Sequence, residues 1–262
     1  MEDILSKEYQ RRKQYLKLIE NKSYQHAEEV WHRKFQGKYI SDVIYGANDG
    51  IITTFAVIAG SVGATLSPGI IVILGLANLL ADGFSMGASN FLSIRSEQDF
   101  YLAQKKREEW EVDNFPEIEK EEVRTILRKW GVSEDRIEDV LNDIISDKER
   151  WIDLMMKEEL ELQDATSENP FIHALVTFLS FVGAGFLPLM PYLFLDIPPY
   201  LQFKVAIATT SVVLFGVGSA RSLVTTEPWF RSGLEMLFVG GIAAALAYSI
   251  GWAVKSFIGL LI

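Results

Sequence analysis

Five long apolar stretches constrain this chain more than any other feature of its sequence. They cover about 42–65, 70–94, 171–194, 201–224 and 233–258. A helix needs roughly 20 mostly apolar residues to cross the ~30 Å hydrocarbon layer of a bilayer. Only helices and closed barrels satisfy their backbone hydrogen bonds in lipid, and these stretches lack the two-residue alternation of barrel strands. The sequence therefore predicts an all-α polytopic membrane protein with five transmembrane helices.

Charged residues are concentrated between the second and third apolar stretches. Residues 97–168 hold 23 acidic and 11 basic side chains, whereas residues 1–40 hold 6 acidic and 9 basic ones. The other 150 residues share only 6 acidic and 5 basic side chains. We therefore predict an N-terminal segment (1–40), transmembrane helices one and two (41–96), an inserted acidic helical domain (97–168) and transmembrane helices three to five (169–262).

Composition excludes several kinds of site and partner. The chain has no cysteine, which excludes disulfides and thiolate metal sites. It also lacks the basic footprint of a nucleic-acid-binding protein, so nucleic acid is not an expected partner. The charged N-terminus has no early apolar segment, and we expect no cleaved signal peptide. The lipid bilayer is the expected surrounding, and no prosthetic group is predicted.

The distribution of lysine and arginine predicts the orientation in the membrane. Cytoplasmic loops carry an excess of these residues. Nearly all of them lie in the N-terminal segment, the inserted domain and the 221–232 loop, and none lies in the loops 65–69 and 195–200. We therefore predict a cytoplasmic N-terminus and inserted domain and an external C-terminus. Without a recognisable targeting segment, the expected location is a prokaryotic plasma membrane.

Polar side chains recur at helical spacing in the first two apolar stretches. Asp42 and Asp49 lie seven residues apart and share a helix face, with Thr53 one turn further. The second stretch has a four-residue series, which is Asn78, Asp82, Met86 and Asn90. Ionisable groups inside a span are costly and usually functional, and carboxylate, amide and thioether groups suit divalent metals.

These two stripes predict a cation pathway, whose lining we assign to Asp42, Asp49, Asn78, Asp82 and Met86. Two structural alternatives stay open at this point. Asp42 fits the N-cap of the first span, and Asp82 fits a hydrogen-bonding hub between helices.

Small residues at four-residue spacing predict close helix packing, and they are Gly46/Gly50, Gly83/Gly87 and Ala243/Ala247/Gly251. Packing within one bundle and a specific dimer seam both fit this pattern. For the glycines around Asp49, we expect the neighbour to be a helix of a second subunit.

The inserted domain has clear helix boundaries. The second span continues without Gly or Pro through "RSEQDFYLAQKKREEWEV" (95–112), and Pro116 begins a new helix that stops at Gly131. Ser133 is the predicted N-cap of the next helix. Ser146, with Glu149 three residues later, predicts a capping box for the last helix.

Acidic pairs in this domain predict a metal site. Glu108 with Glu111, and Glu119 with Glu122, are three residues apart, and Glu159 follows the pair Met155 and Met156 at helical spacing. Each spacing places its members on one helix face. Two simpler interpretations stay open from spacing alone, namely a solvated glutamate face and methionines that fill the core. His26, Glu29 and His32 form a weaker candidate at near-helical spacing.

Several ordered motifs resemble the vacuolar iron transporter family. They are "SDVIYGANDGIITTFAVIAG", "GLANLLADGFSMGASNFLS" and the acidic insertion that follows, and the resemblance covers residues 41–258. It implies a homodimeric, five-span exchanger that moves Fe²⁺, and often Mn²⁺, out of the cytosol against protons. It also implies a transport path at the dimer axis, lined by the first two helices of each subunit.

The resemblance assigns roles to matching residues. It makes Asp49 the pathway acid, Met86 the pathway methionine and Asp42 an acid at the cytosolic mouth. The metal-binding domain of the family corresponds here to Glu108, Glu111, Glu119, Glu122, Met155, Met156 and Glu159. Asn78 and Asn90 stand where some relatives carry Glu, which leaves the number of pathway carboxylates and the proton stoichiometry open.

The predicted function is therefore that of a proton-coupled exporter of Fe²⁺, with Mn²⁺, Zn²⁺ and Co²⁺ as further candidate metals, rather than an enzyme. The alternative is a membrane-anchored iron-binding or ferroxidase-like protein that transports nothing. A passive cation channel is a third interpretation, and it predicts metal flux that ignores a proton gradient.

Overall fold

A computed structural model of the chain describes residues 39–223 and 227–259. Within these ranges it contains helices and no strand, so the predicted all-α class is confirmed. The helices are α1 (Ile40–Gly63), α2 (Pro68–Asn114), α3 (Pro116–Lys129), α4 (Glu134–Ile145), α5 (Lys148–Glu158), α6 (Pro170–Gly185), α7 (Met190–Phe194), α8 (Pro199–Ala220) and α9 (Trp229–Gly259). The candidate His26, Glu29 and His32 lies outside the described residues.

The described chain forms two compact units. Residues up to Gly87 together with residues from Leu175 form the first, which we call the membrane unit. The second, which we call the inserted unit, is Ala88–Ala174. The inserted unit begins earlier and ends later than the predicted domain 97–168, which stays a prediction as a functional division.

Five helical segments are long and apolar enough to cross a membrane, as predicted. Among the described residues they are Ile40–Gly63, Pro68–Asn114, Pro170–Phe194, Pro199–Ala220 and Trp229–Phe257. The third of these is interrupted, because α6 ends at Gly185 and a 3₁₀ turn over Leu187–Leu189 precedes α7. Pro188 and Pro191 explain the interruption, since proline cannot donate the backbone hydrogen bond that continues a helix.

Helix α2 is continuous over 47 residues, which confirms that the second apolar stretch runs on into the acidic segment. Pro116 begins α3 as predicted, and Gly131 has the positive φ of 80° that ends such a helix.

The predicted capping box at Ser146 is wrong. The N-cap of α5 is Asp147, whose carboxylate accepts hydrogen bonds from the backbone N–H groups of Glu149 and Arg150. Ser146 instead ends α4, and its hydroxyl donates to the carbonyl oxygen of Asp143 at 2.7 Å. A charged oxygen one residue nearer the helix is the better acceptor at that end. Ser133 does precede α4 in extended conformation, but its side chain makes no capping hydrogen bond.

The glycines beside Asp49 pack against the same chain. A Cβ atom at Gly46 would lie 2.6 Å from the carbonyl oxygen of Thr177, and one at Gly50 would collide with the carbonyl group of Phe181. Both neighbours belong to α6. The expectation that these glycines face a second subunit is therefore wrong, because four-residue spacing of small residues predicts a close helix without saying which helix it is.

Replacing Gly50 with alanine should destabilise the protein by about 1–3 kcal/mol, the usual cost of overpacking a tight contact. The added methyl group would meet backbone atoms of Phe181, which cannot rotate away. Thermal unfolding of the purified protein in detergent measures the change. Gly183→Ala on α6 is the matched control, since nothing lies within 4 Å of its added Cβ. Equal stability of the two variants would contradict the tight contact.

Candidate metal site

A buried apolar core holds the helices of the inserted unit together. Its members lie on α2, α3, α4 and α5, recur every three or four residues on α3 to α5, and include Tyr101, Val123, Leu127, Leu141 and Trp151. Such spacing gives each helix one apolar face, and burial of that face fixes how the helices pack. The polar residues next to these faces are thereby placed at fixed positions on neighbouring helices.

Three of the predicted acids converge at one point of this unit. Glu108 lies on α2, Glu119 lies in the first turn of α3, and Glu159 directly follows α5. One carboxylate oxygen from each lies within 4.8 Å of the other two. Metal–oxygen bonds of about 2.1 Å bring ligand oxygens to within roughly 4.2 Å of one another, so small side-chain movements suffice to bind one divalent ion.

Two of these carboxylates are buried. Glu108 is 2% exposed and Glu119 is 5% exposed, whereas Glu159 is exposed. Within the described residues, Oε1 of Glu108 and Oε2 of Glu119 are buried and have no hydrogen-bond partner. A buried, unpartnered carboxylate oxygen is costly, and it requires a proton or a cation to neutralise it.

The electrostatics of the cluster also indicate that its carboxylates require a proton or a cation. Burial raises the pKa of Glu119 to about 8, with contributions from a hydrogen bond to Glu108 and from the neighbouring carboxylates. Partial loss of solvation at the cavity wall, and then repulsion by Glu122, Glu108 and Glu111, raises the pKa of Glu159 to about 7. Glu159 also sits at the C-terminus of α5, where the helix dipole disfavours negative charge. The raised pKa values favour protonated carboxyl groups near neutral pH, and a divalent cation would displace these protons.

The cluster opens into a cavity of about 270 Å³. The residues that line the cavity are Gln104, Arg107, Glu108, Glu111, Phe115, Ile118, Glu119, Glu122, Glu159 and Leu160. It thus brings together all five of the predicted glutamates. Glu111 differs from the others, because Nε of Arg107 donates a hydrogen bond to its Oε1 at 3.1 Å.

Arg107 is the charged residue of this cavity that sequence reasoning missed. Its four-residue distance from Glu111 was visible as an ordinary helical ion pair. The guanidinium group nevertheless occupies a wall of an otherwise acidic cavity, where it offsets part of the negative charge.

The two predicted sulfur ligands lie in the core. Met155 is 0% exposed and Met156 is 1% exposed, and both pack in the apolar cluster of α2 to α5. Glu159 stays connected to them through the backbone, since its N–H donates to the carbonyl oxygen of Met155 at 3.0 Å. Thioether coordination by these methionines stays a prediction.

The metal-free protein should become less stable as pH rises from about 5 to 8. The folded pKa values of about 8 for Glu119 and about 7 for Glu159 lie above the unfolded value of 4.5. The folded state therefore binds more protons in this window, and unfolding becomes easier as they leave. Unfolding temperatures measured across this range test the slope, and Glu119→Gln should flatten it. A slope of the opposite sign would contradict the buried cluster.

In the membrane unit, the predicted pathway residues lie on α1 and α2. Asp42 and Asp49 are partly buried, as are Asn78 and Met86, whereas Asp82 is exposed. The carboxylates of Asp49 and Asp82 are close enough for their charges to interact. The two helices therefore bring at least these two predicted acids together.

Neighbouring polar groups in this region differ in how they are satisfied. The hydroxyl of Thr53 donates a hydrogen bond to the backbone carbonyl of Asp49 at 2.8 Å, so its proton is used within α1. Within the described residues, Oδ1 of Asn48 and Nδ2 of Asn78 are buried without a hydrogen-bond partner. Asn48 was not among the predicted site residues, and its position beside Asp49 was the only signal for it. Met86 packs beside the apolar core of the membrane unit.

Comparison with known proteins gives one consistent family. A family model described as the VIT family matches residues 40–252. Vacuolar iron transporter 1 of Arabidopsis thaliana is 34% identical over 220 residues, which cover 84% of this chain and 87% of the relative. The vacuolar iron transporter of Plasmodium berghei (strain Anka) is 34% identical over 239 residues, which cover 88% and 86%. Vacuolar iron transporter 2 of Oryza sativa subsp. japonica is 30% identical over 220 residues, which cover 84% and 89%.

Proposed function

Because the chain belongs to the VIT family, we propose that it transports divalent metal ions, Fe²⁺ foremost, across a membrane in exchange for protons. The observation that carries the proposal is the convergence of Glu108, Glu119 and Glu159, two of them buried, on one point of the inserted unit. The relatives are named as transporters, in agreement with the expectation that the chain is not an enzyme.

The first proposed step is capture of the metal by the acidic cavity. Fe²⁺ displaces the proton that Glu108 and Glu119 hold between them and gains Glu159 as a third oxygen ligand. Glu111 and Glu122 line the same cavity and supply further oxygens at its wall. Accumulated negative charge raises the local concentration of divalent cations, which favours loading from dilute solution.

Selectivity is the second element of the proposal. Mg²⁺ is abundant, takes oxygen ligands and gives up its water reluctantly, so carboxylates alone discriminate poorly against it. Met155 and Met156 precede Glu159 by four and three residues, and thioethers favour softer ions. Their participation requires the end of α5 to rearrange on metal binding, since both side chains are buried in the apolar core of the inserted unit.

Passage through the membrane is assigned to Asp42, Asp49, Asn78, Asp82 and Met86. The charges of Asp49 and Asp82 interact, so both carboxylates would attract a cation between α1 and α2, and the unpartnered amide nitrogen of Asn78 adds a polar group on α2. Protonation of Asp49 from the far side would release the ion and reset the carrier. One carboxylate cannot hold a proton and a cation at once, and this competition couples the two flows.

Orientation and assembly complete the proposal. The inserted unit faces the cytosol, the metal leaves the cytosol, and two subunits place their α1 and α2 helices along a shared path. Mn²⁺, Zn²⁺ and Co²⁺ are the other candidate cargoes. The predicted prokaryotic plasma membrane stays a prediction, because the relatives named above are eukaryotic proteins that are named after the vacuole.

Purified protein in proteoliposomes tests the proposal directly. With protons concentrated on the side opposite to the metal, uptake or release of Fe²⁺ should be accelerated, and the internal pH should change as metal moves. Mn²⁺, Zn²⁺ and Co²⁺ compared side by side rank the cargoes. Metal flux that does not depend on the pH gradient would show that the protein is a channel and not an exchanger. Metal binding without any flux would show that the protein is a membrane-anchored metal-binding protein and not a transporter.

A further inference from the structure

A second cavity, of about 490 Å³, lies within the membrane unit between α1, α8 and α9. Its lining carries no charged side chain, and we call it the lateral groove. Phe203 on α8 stacks on Phe55 of α1 at 6.4 Å and on Tyr248 of α9 at 6.3 Å between ring centroids. These rings form one wall, and the small residues Gly241 and Ala245 belong to the α9 side. The volume is within the range of roughly 300–1,000 Å³ that is typical of ligand pockets.

The helices that line the lateral groove indicate what surrounds it. Every residue that lines it belongs to one of the helices long and apolar enough to span a membrane. From Phe203 to Leu214 the groove follows α8 for about 16 Å, at 1.5 Å of rise per residue. Half of the ~30 Å hydrocarbon layer is about 15 Å, so the groove has the length of one leaflet's acyl chains.

The groove is also open sideways. Ile207 and Tyr248 line it, and each is 42% exposed. Between membrane-spanning helices the medium that reaches an open groove is hydrocarbon, which is as apolar as the leucine side chains of the lining. Lining atoms that face an unfilled gap lose their dispersion contacts, so filling the groove with a hydrocarbon chain is favourable.

We propose that the lateral groove binds one acyl chain of a membrane phospholipid, seated against Phe203 and between α8 and α9. Recognition is by shape and apolar contact. Thr210 provides a check on this chemistry, because it is 1% exposed and, within the described residues, its hydroxyl has no hydrogen-bond partner. An acyl chain cannot pair with that hydroxyl, so Thr210→Val should bind the lipid as the parent protein does.

The test uses the full chain in phosphatidylcholine proteoliposomes that contain a phosphatidylcholine with a photoreactive diazirine in its acyl chain. Mass spectrometry of peptides should locate adducts on residues 207–214 and 237–249. Gly241→Leu should lower these adducts several-fold by filling the groove, since nothing lies within 4 Å of a Cβ at Gly241. Gly216→Leu on α8 is the matched control, because its Cβ also meets nothing and it does not line the groove.

Three results would overturn the proposal. Undiminished labelling of Gly241→Leu shows that the chain does not sit in the groove, and loss of labelling in Thr210→Val shows recognition of a polar group instead. The chain has no cysteine, so Ala245→Cys introduces the sole thiol. Efficient disulfide-linked dimers of that variant would show that a second copy, rather than lipid, covers the groove. Both leucine variants should elute as the parent protein does in size-exclusion chromatography.

Discussion

Glu108→Gln should weaken binding of Fe²⁺ or Mn²⁺ to the full-length protein by at least about 10-fold, since even the outer partners of metal ligands typically contribute 10–100-fold. Glutamine keeps the size of the side chain. It removes the negatively charged oxygen that would bind the metal together with Glu119 and Glu159. Titration calorimetry in detergent, or a metal-dependent rise in unfolding temperature, measures the loss. The metal-free variant should be at least as stable as the parent protein, because it removes charge from a buried cluster.

Glu109→Gln is the matched control for that experiment. It makes the same change in net charge at the next position of α2, where the side chain is exposed and does not line the cavity. The control should bind metal almost normally. If both variants lose the same affinity, the effect belongs to the overall negative charge of the inserted unit and the assigned site is wrong.

Asp49→Asn should lower metal transport in proteoliposomes by more than about 10-fold, because an ionisable group inside a span has few roles besides ion or proton transfer. Asparagine can still coordinate through its oxygen, but it cannot carry the proton that releases the metal. Binding to the inserted unit should be unchanged in the same preparation. This combination distinguishes a blocked pathway from a protein that has lost its structure.

Asp196→Asn provides the charge-matched control for Asp49. Asp196 is exposed in the turn between α7 and α8 and is not one of the residues assigned to the pathway. Its replacement should leave flux unchanged. Normal flux through Asp49→Asn would remove the central residue of the proposed pathway, and a proton-independent residual flux would assign the coupling to another acid such as Asp82.

Helical periodicity explains why much of the architecture was predictable. The five spans depend on local composition, and the continuation of α2 depends on the absence of Gly and Pro from residues 95–112. The faces shared by Glu108 with Glu111, and by Glu119 with Glu122, follow from three-residue spacing. Each of these statements concerns a single helix, which a sequence describes directly.

What the sequence could not provide were relations between helices. Spacing did not reveal that Glu159 meets Glu108 and Glu119, nor that Arg107 shares their cavity. It did not identify α6 as the neighbour of Gly50, because small residues fit any close partner. The cap of α5 was missed for a different reason, since Ser146 and Asp147 are adjacent and both are good N-cap residues.

The contacts of α1 also restrict how Asp49 can move. The backbone of α1 touches the backbone of α6 at Gly50. It also touches the backbone of α9 where Gly60 meets Gly251. Backbone surfaces pressed together cannot slide past each other without first separating, unlike surfaces joined by flexible side chains. These contacts predict that α1, α6 and α9 move as one body that carries Asp49 with it. A change in access to this carboxylate must come from rocking of that body as a whole, or from movement of the helices around it.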